Sequence, residues 1–172
     1  MSFADFLLIE TVIYLFFALP ACYSDVRKLL IPLRFVLLGF VVLTAAKLYL
    51  LHRYSANPRF FQHSMLNLLI AAATSALLYF CVRVFSAGGL GVGDIFFGVY
   101  TAVYCGFYKN LVAAAFAALS GILFYLAATV VKKIRKRILE KSGQTEFVHR
   151  GIFVIPFVPF ITFGAVLAVF LF

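Results

Sequence analysis

Charge is what this sequence has least of. Of its 172 residues only 12% are charged and six are acidic, against 65% hydrophobic residues and a mean hydropathy of +1.09. A soluble domain of this length needs a charged, polar shell, so the composition excludes one and makes lipid the main solvent. Cysteine is also scarce. Cys22, Cys81 and Cys105 fall in or beside apolar runs without C-x-x-C spacing, which indicates neither a disulfide framework nor a zinc site; they read as small packing residues. No repeat or low-complexity tract stands out, and no connection between apolar runs is long enough to hold a second folded domain. The N-terminal run lacks a basic n-region and an A-x-A-like cleavage site and carries Asp5 and Glu10, so it is expected to stay as a span.

What the sequence has in excess is apolar runs of spanning length. They lie at residues 6–22, 31–51, 65–85, 95–108, 111–131 and 152–172. The reading is an all-α fold, a polytopic membrane helical bundle of about six transmembrane helices, with residues 1–172 forming a single membrane-embedded domain. The fourth run is short, so it is expected to borrow residues from the glycine-rich stretch before it or to be sheltered by neighbouring helices.

The formal charge of +9 could point to nucleic acid, but the basic residues sit between hydrophobic runs and form no soluble face that could track phosphates. They serve topology. Because consecutive spans alternate direction, the linkers after the first, third and fifth share one face of the membrane. With the rim residues Arg34 and Arg83 counted, that face holds 11 of the 15 Lys and Arg, and the other holds Lys47, Arg53, Arg59 and Lys109. The positive-inside rule puts the first face in the cytoplasm and both termini outside. The run KKIRKRILEK at 132–141 needs no further explanation as a topology determinant.

Of the six acids, Asp25 ends the first span and Asp94 opens the fourth. With two full crossings between them, both are expected at the cytoplasmic rim, where they can meet. A carboxylate at such a depth is costly to desolvate and marks a functional candidate. Asp94 closes the run GGLGVGD at 88–94. Glycines at 89, 91 and 93 remove side chains from alternate positions and let a backbone approach another chain closely; tight helix packing by small residues is the plainer use of such a run. Glu10, about 15 residues before Asp25 and so ~22 Å away along a helix, is too far to join them and is placed near the outer rim. Pro156 and Pro159, inside the last span, are read as structural, with a kink there as the alternative.

Taken in order, Asp25 followed by Ile31-Pro32, then GGLGVGD, then IPFVPF at 155–160 with Gly164, resembles the signature blocks of the type IV prepilin peptidases. The resemblance implies an intramembrane aspartyl endopeptidase whose catalytic dyad falls on Asp25 and Asp94. It implies as substrates prepilins or pseudopilins in the bilayer, cut at the cytoplasmic border of their hydrophobic helix, in a bacterial inner membrane. Gly89, Gly91 and Gly93 are then candidates to lie against the extended substrate. Two positions depart from the family pattern: Phe96 stands where a lysine usually follows the second aspartate, and Leu33 where a polar residue often follows Ile-Pro. There is no room for the cytoplasmic N-methylation domain of bifunctional members, so the resemblance is to the short, peptidase-only form.

Peptide hydrolysis by two carboxylates needs one ionised, to take a proton from water, and one protonated, to donate to the carbonyl oxygen. Close approach in a low-dielectric site supplies that split, and the chemistry requires no metal or organic cofactor. With Asp25 near a helix C-terminus and Asp94 at a helix N-terminus, the helix dipoles favour the anion on Asp94, and Arg27 and Lys28 oppose that bias. The reading from another class is a non-catalytic membrane assembly factor or small carrier, using the aspartates for partner or proton binding. A presenilin-like enzyme shares G-x-G-D, but the sequence has no Pro-Ala-Leu element.

Overall fold

The computed structural model describes residues 3–54, 58–85, 90–141 and 156–171. They form six helices: α1 (Phe3–Lys28), α2 (Leu33–Tyr54), α3 (Pro58–Phe85), α4 (Val92–Cys105), α5 (Phe107–Lys141) and α6 (Val158–Leu171). Segments 5–28, 33–53, 61–85 and 107–131 are each long and apolar enough to cross a membrane. The protein is a helical membrane protein, and large side chains such as Leu8, Phe16, Leu69 and Leu123 stay exposed on its outside, as lipid contact requires.

Side-chain pairs give the directions of the helices. Glu10 meets Lys47 and Phe17 meets Phe35, so α1 and α2 are antiparallel. Thr11 bonds Tyr104 and Tyr14 bonds Thr101, so α1 and α4 are antiparallel. Cys22 bonds Thr162 and Asp25 bonds Val158, so α6 runs with α4. Asn67 bonds Phe107 while Tyr79 packs on Gly98, which sets α3 against α4. Lys109 reaches Val169, and Gly164 packs on Ala113, which sets α5 against α6. The six helices therefore alternate, as the parity of their linkers predicts.

At 14 residues, α4 is ~21 Å long, too short for a hydrocarbon core of about 30 Å. It survives because protein shields it: α4 touches all five other helices, and Phe97, Gly98 and Tyr100 to Cys105 are buried. Its polar side chains are used inside the bundle. The Tyr14 ring stacks on Tyr104 at 4.2 Å and on Tyr100 at 5.2 Å. Tyr100 Oη donates to the carbonyl of Tyr14 at 3.0 Å, and Ser75 Oγ donates to the carbonyl of Gly98 at 2.9 Å.

Three boundaries differ from the sequence reading. The break after the fourth helix was expected at Lys109 and Asn110, but it falls at Gly106, whose φ of +74° suits glycine, and both expected turn residues lie inside α5. Asp25 does not end its helix, since α1 runs a further turn to Lys28. Pro156 precedes α6 and Pro159 is its second residue. There an N–H would have no intrahelical partner anyway, so the prolines mark a helix start and make no kink within it. Residues 152–155 of the expected span lie outside the described residues.

Candidate active site

Asp25 and Asp94 are both buried, at 6% and 9% exposure. The α1–α4 register brings them to one end of the bundle. Residues 11 and 14 face 104 and 101, so residue 25 falls level with about residue 90, one helical turn (~6 Å) from Asp94. The two carboxylates are near enough for their charges to interact.

Each carboxylate rests on a helix N-terminus. Asp94 is the third residue of α4, and its Oδ2 accepts the N–H of Gly91, the residue that caps the helix, at 2.9 Å. This is half of a capping box, with the side chain reaching back to an amide that the helix leaves unsatisfied. Asp25 Oδ2 accepts the N–H of Val158, the first residue of α6, at 2.9 Å, and the Phe157 N–H adds to it. Partial positive charge at helix starts thus supports both acids, and among the described residues neither pairs with a Lys or Arg. This corrects the expectation that the dipoles separate the two acids. Asp25 does sit near the C-terminal end of its own helix, but α6 presents its N-terminus to it.

The surrounding backbone is closely built. Leu29 ends α1 in the left-handed region at φ +52°, with its N–H on the carbonyl of Asp25 at 2.9 Å. For a leucine that conformation costs of order 1 kcal/mol. Ser24 Oγ donates to the Leu30 carbonyl at 2.7 Å, and Arg83 donates to the carbonyl of Leu90 just ahead of Gly91. A Cβ on Gly93 would lie 2.8 Å from Cβ of Ile31, and one on Gly91 would lie 3.0 Å from Oδ2 of Asp94. Gly91 and Gly93 therefore allow the close approach of α4 to the α1–α2 linker and of Asp94 to its own cap; Gly89 lies outside the described residues.

Residues 12–126 match the type IV leader peptidase family. The chain belongs to that family. Members of the type IV leader peptidase family are aspartic-type peptidases with prepilin-type substrates, and the matched segment contains both Asp25 and Asp94. It stops short of α6, which supplies the amides under Asp25. No curated protein and no solved structure matches the chain.

Sequence reasoning missed the part played by α6 in the site. The signal was present as Pro159, which is tolerated in the first turn of a helix and so marks a start. It also missed the partner of Glu10, which is 3% exposed at the end of the bundle away from Asp25; its Oε2 lies 3.3 Å from Nζ of Lys47, which also donates to the carbonyls of Val103 and Tyr104 at 2.9 Å each.

Proposed function

We propose that the protein is an aspartic endopeptidase in which Asp25 and Asp94 form the dyad that cuts the leader from membrane-inserted prepilin-like or pseudopilin-like substrates. The observation that carries this reading is the pair of buried carboxylates brought from two antiparallel helices to one end of the bundle. Each is held by backbone N–H groups and, among the described residues, left without a cation. A carboxylate locked to Lys or Arg is poorly placed to exchange protons with water, whereas one held by backbone amides keeps free lone pairs for a water and a carbonyl. One member takes the proton of the attacking water while the other gives its proton to the carbonyl oxygen, and their roles reverse as the amine leaves.

The excess of Lys and Arg at this end of the bundle supports a cytoplasmic site in an inner membrane with both termini outside. A scissile bond within a helix is poorly accessible, so the substrate unwinds where it meets the dyad. Gly91 and Gly93 stand beside that position, where an extended chain can reach their backbone groups. Co-expression with a prepilin-like protein tests the reading. Wild type should release the leader and Asp25→Asn and Asp94→Asn should not. Leader release that persists in both variants rejects the mechanism.

A further inference from the structure

A single peptide unit joins a cation to the dyad. Arg83, in the last turn of α3, donates to the carbonyl of Leu90, and the N–H of that same amide, which belongs to Gly91, donates to Oδ2 of Asp94 at 2.9 Å. In a trans amide the C=O and the N–H point in opposite directions. The guanidinium and the carboxylate therefore sit at the two ends of one dipole, each at the end of opposite sign. Hydrogen bonds in such a chain polarise one another, so charge drawn onto the carbonyl oxygen makes the N–H a better donor. A charged donor does this more strongly than a neutral one.

The amide under Asp25 is built differently. Its N–H is that of Val158, and the carbonyl of the same unit, on Phe157, accepts the N–H groups of Phe160 and Ile161 at 3.1 and 3.2 Å. Those donors are neutral. Among the described residues, Asp94 alone of the pair has a cation behind its amide. The guanidinium does not touch the carboxylate, so the lone pairs that water and a carbonyl require stay free. Leu90, 8% exposed in the core, and Gly91, the cap of α4, hold the unit between the two charges. Other ionisable groups around Asp94 do not repeat this support. Asp25 of α1 and Tyr79 of α3 bring only negative charge when they ionise. Arg27 and Lys28 of α1, Arg34 of α2 and Tyr125 of α5 are exposed, α6 has no titratable side chain, and on α4 the next is Tyr100, more than a turn further on.

We propose that Arg83 is a positioning residue of the dyad: it fixes the Leu90–Gly91 amide against Asp94 and, through that amide, favours the ionised carboxylate while leaving it free of a direct ion pair. Burial makes a carboxylate costly to ionise, and the guanidinium offsets part of that cost. The use of this coupling in catalysis rests on the peptidase reading; the coupling itself involves only two side chains and one amide.

Two measurements test it. Citrulline in place of Arg83 keeps the shape and the N–H donors but has no charge, whereas Arg83→Lys keeps the charge. Infrared titration of the Asp25→Asn protein in vesicles follows Asp94 as the one remaining acid of the pair, with its band assigned by difference from the protein that also carries Asp94→Asn. A cation lowers the pH at which a neighbouring carboxylate ionises, so its removal raises that pH. With citrulline at position 83 the midpoint should rise by about one pH unit, a tenfold change in proton affinity. Arg83→Gln, a shorter neutral donor, should move it the same way, and Arg83→Lys should leave it nearly in place. A midpoint unmoved by citrulline overturns the coupling, since a purely structural role needs only the shape and the hydrogen bond. In the otherwise unaltered protein, citrulline should displace to higher pH the profile for cleavage of a peptide with a basic leader and an apolar helix of spanning length. A profile that stays in place overturns the role in the reaction. The titration does not depend on cleavage, so the two readings separate. A raised midpoint with no cleavage by wild type at any pH rejects the peptidase and leaves the coupling standing. Cleavage with an unmoved midpoint rejects the coupling alone.

Discussion

Both ends of this bundle bury an acid of α1, and they treat it in opposite ways. At one end Glu10 meets an ammonium. Lys47 lies 3.3 Å from its carboxylate and spends its other two protons on the carbonyls of Val103 and Tyr104, at the C-terminus of α4. At the other end, among the described residues, Asp25 and Asp94 meet only backbone N–H groups at the starts of α6 and α4. Both arrangements suit the dipole of α4, whose negative end receives a cation and whose positive end receives a carboxylate. The difference is in what is left over. The ion pair ties three helices together and commits the lysine fully, while the amide-held pair keeps its charge and lone pairs available. One end is fastened; the other is, on the proposed reading, the end that reacts.

The sharpest way to break this comparison is to neutralise an acid at each end. Asp25→Asn and Asp94→Asn should each lower leader cleavage by about 10³-fold or more, as loss of an acid–base group does. The melting temperature should stay close to wild type, because the amide oxygen of Asn still accepts the N–H of Val158 or Gly91. Glu10→Gln should leave the cleavage rate nearly unchanged. If Glu10→Gln and Asp94→Asn impaired catalysis alike without unfolding the protein, the two ends would not differ as argued.

Next in size is removal of the cation. Lys47→Met leaves a buried, uncompensated Glu10 and should cost about 3–5 kcal/mol of stability, measured by unfolding in mixed micelles. The double variant Lys47→Met with Glu10→Leu should recover most of that loss, since apolar residues replace a buried pair with little penalty. A double variant no more stable than the single would show that the lysine acts mainly on the carbonyls of α4.

How legible this was depended on range. Helices and their alternation followed from apolar runs, because spanning length and backbone satisfaction in lipid leave few options. Asp25 and Asp94 stood out because acids in such runs are rare. The Glu10–Lys47 pair was hidden because it is set by which faces of α1 and α2 meet. Reflecting α1 about the short linker at 29–32 brings Glu10 roughly level with Lys47, within about a turn, and that was the available clue. The end of α4 was misplaced because Lys109 and Asn110 look like turn residues. In fact Asn110 is 1% exposed inside the bundle, and Gly106 alone carries the positive φ that a tight break demands. The seat of Asp25 on α6 depends on a contact across 133 positions, which no local pattern reveals.

The smallest predicted effect concerns Gly93, and it separates two roles that lie on the same atoms. Gly93→Ala puts a methyl group 2.8 Å from Cβ of Ile31, an overpacking that should cost about 1–3 kcal/mol. It should also push the start of α4, and Asp94 with it, away from the α1–α2 linker. If Gly93 serves only packing, adding Ile31→Gly, which removes the Cβ that the new methyl group meets, should restore most of the melting temperature and the cleavage. If Gly93 also gives the substrate close access to its backbone, the double variant should regain stability but keep a raised KM, since the methyl group still stands in the path of the peptide. The split between recovered stability and unrecovered KM therefore tells whether the glycine-rich approach to Asp94 is a packing device of the fastened kind or part of the reacting end.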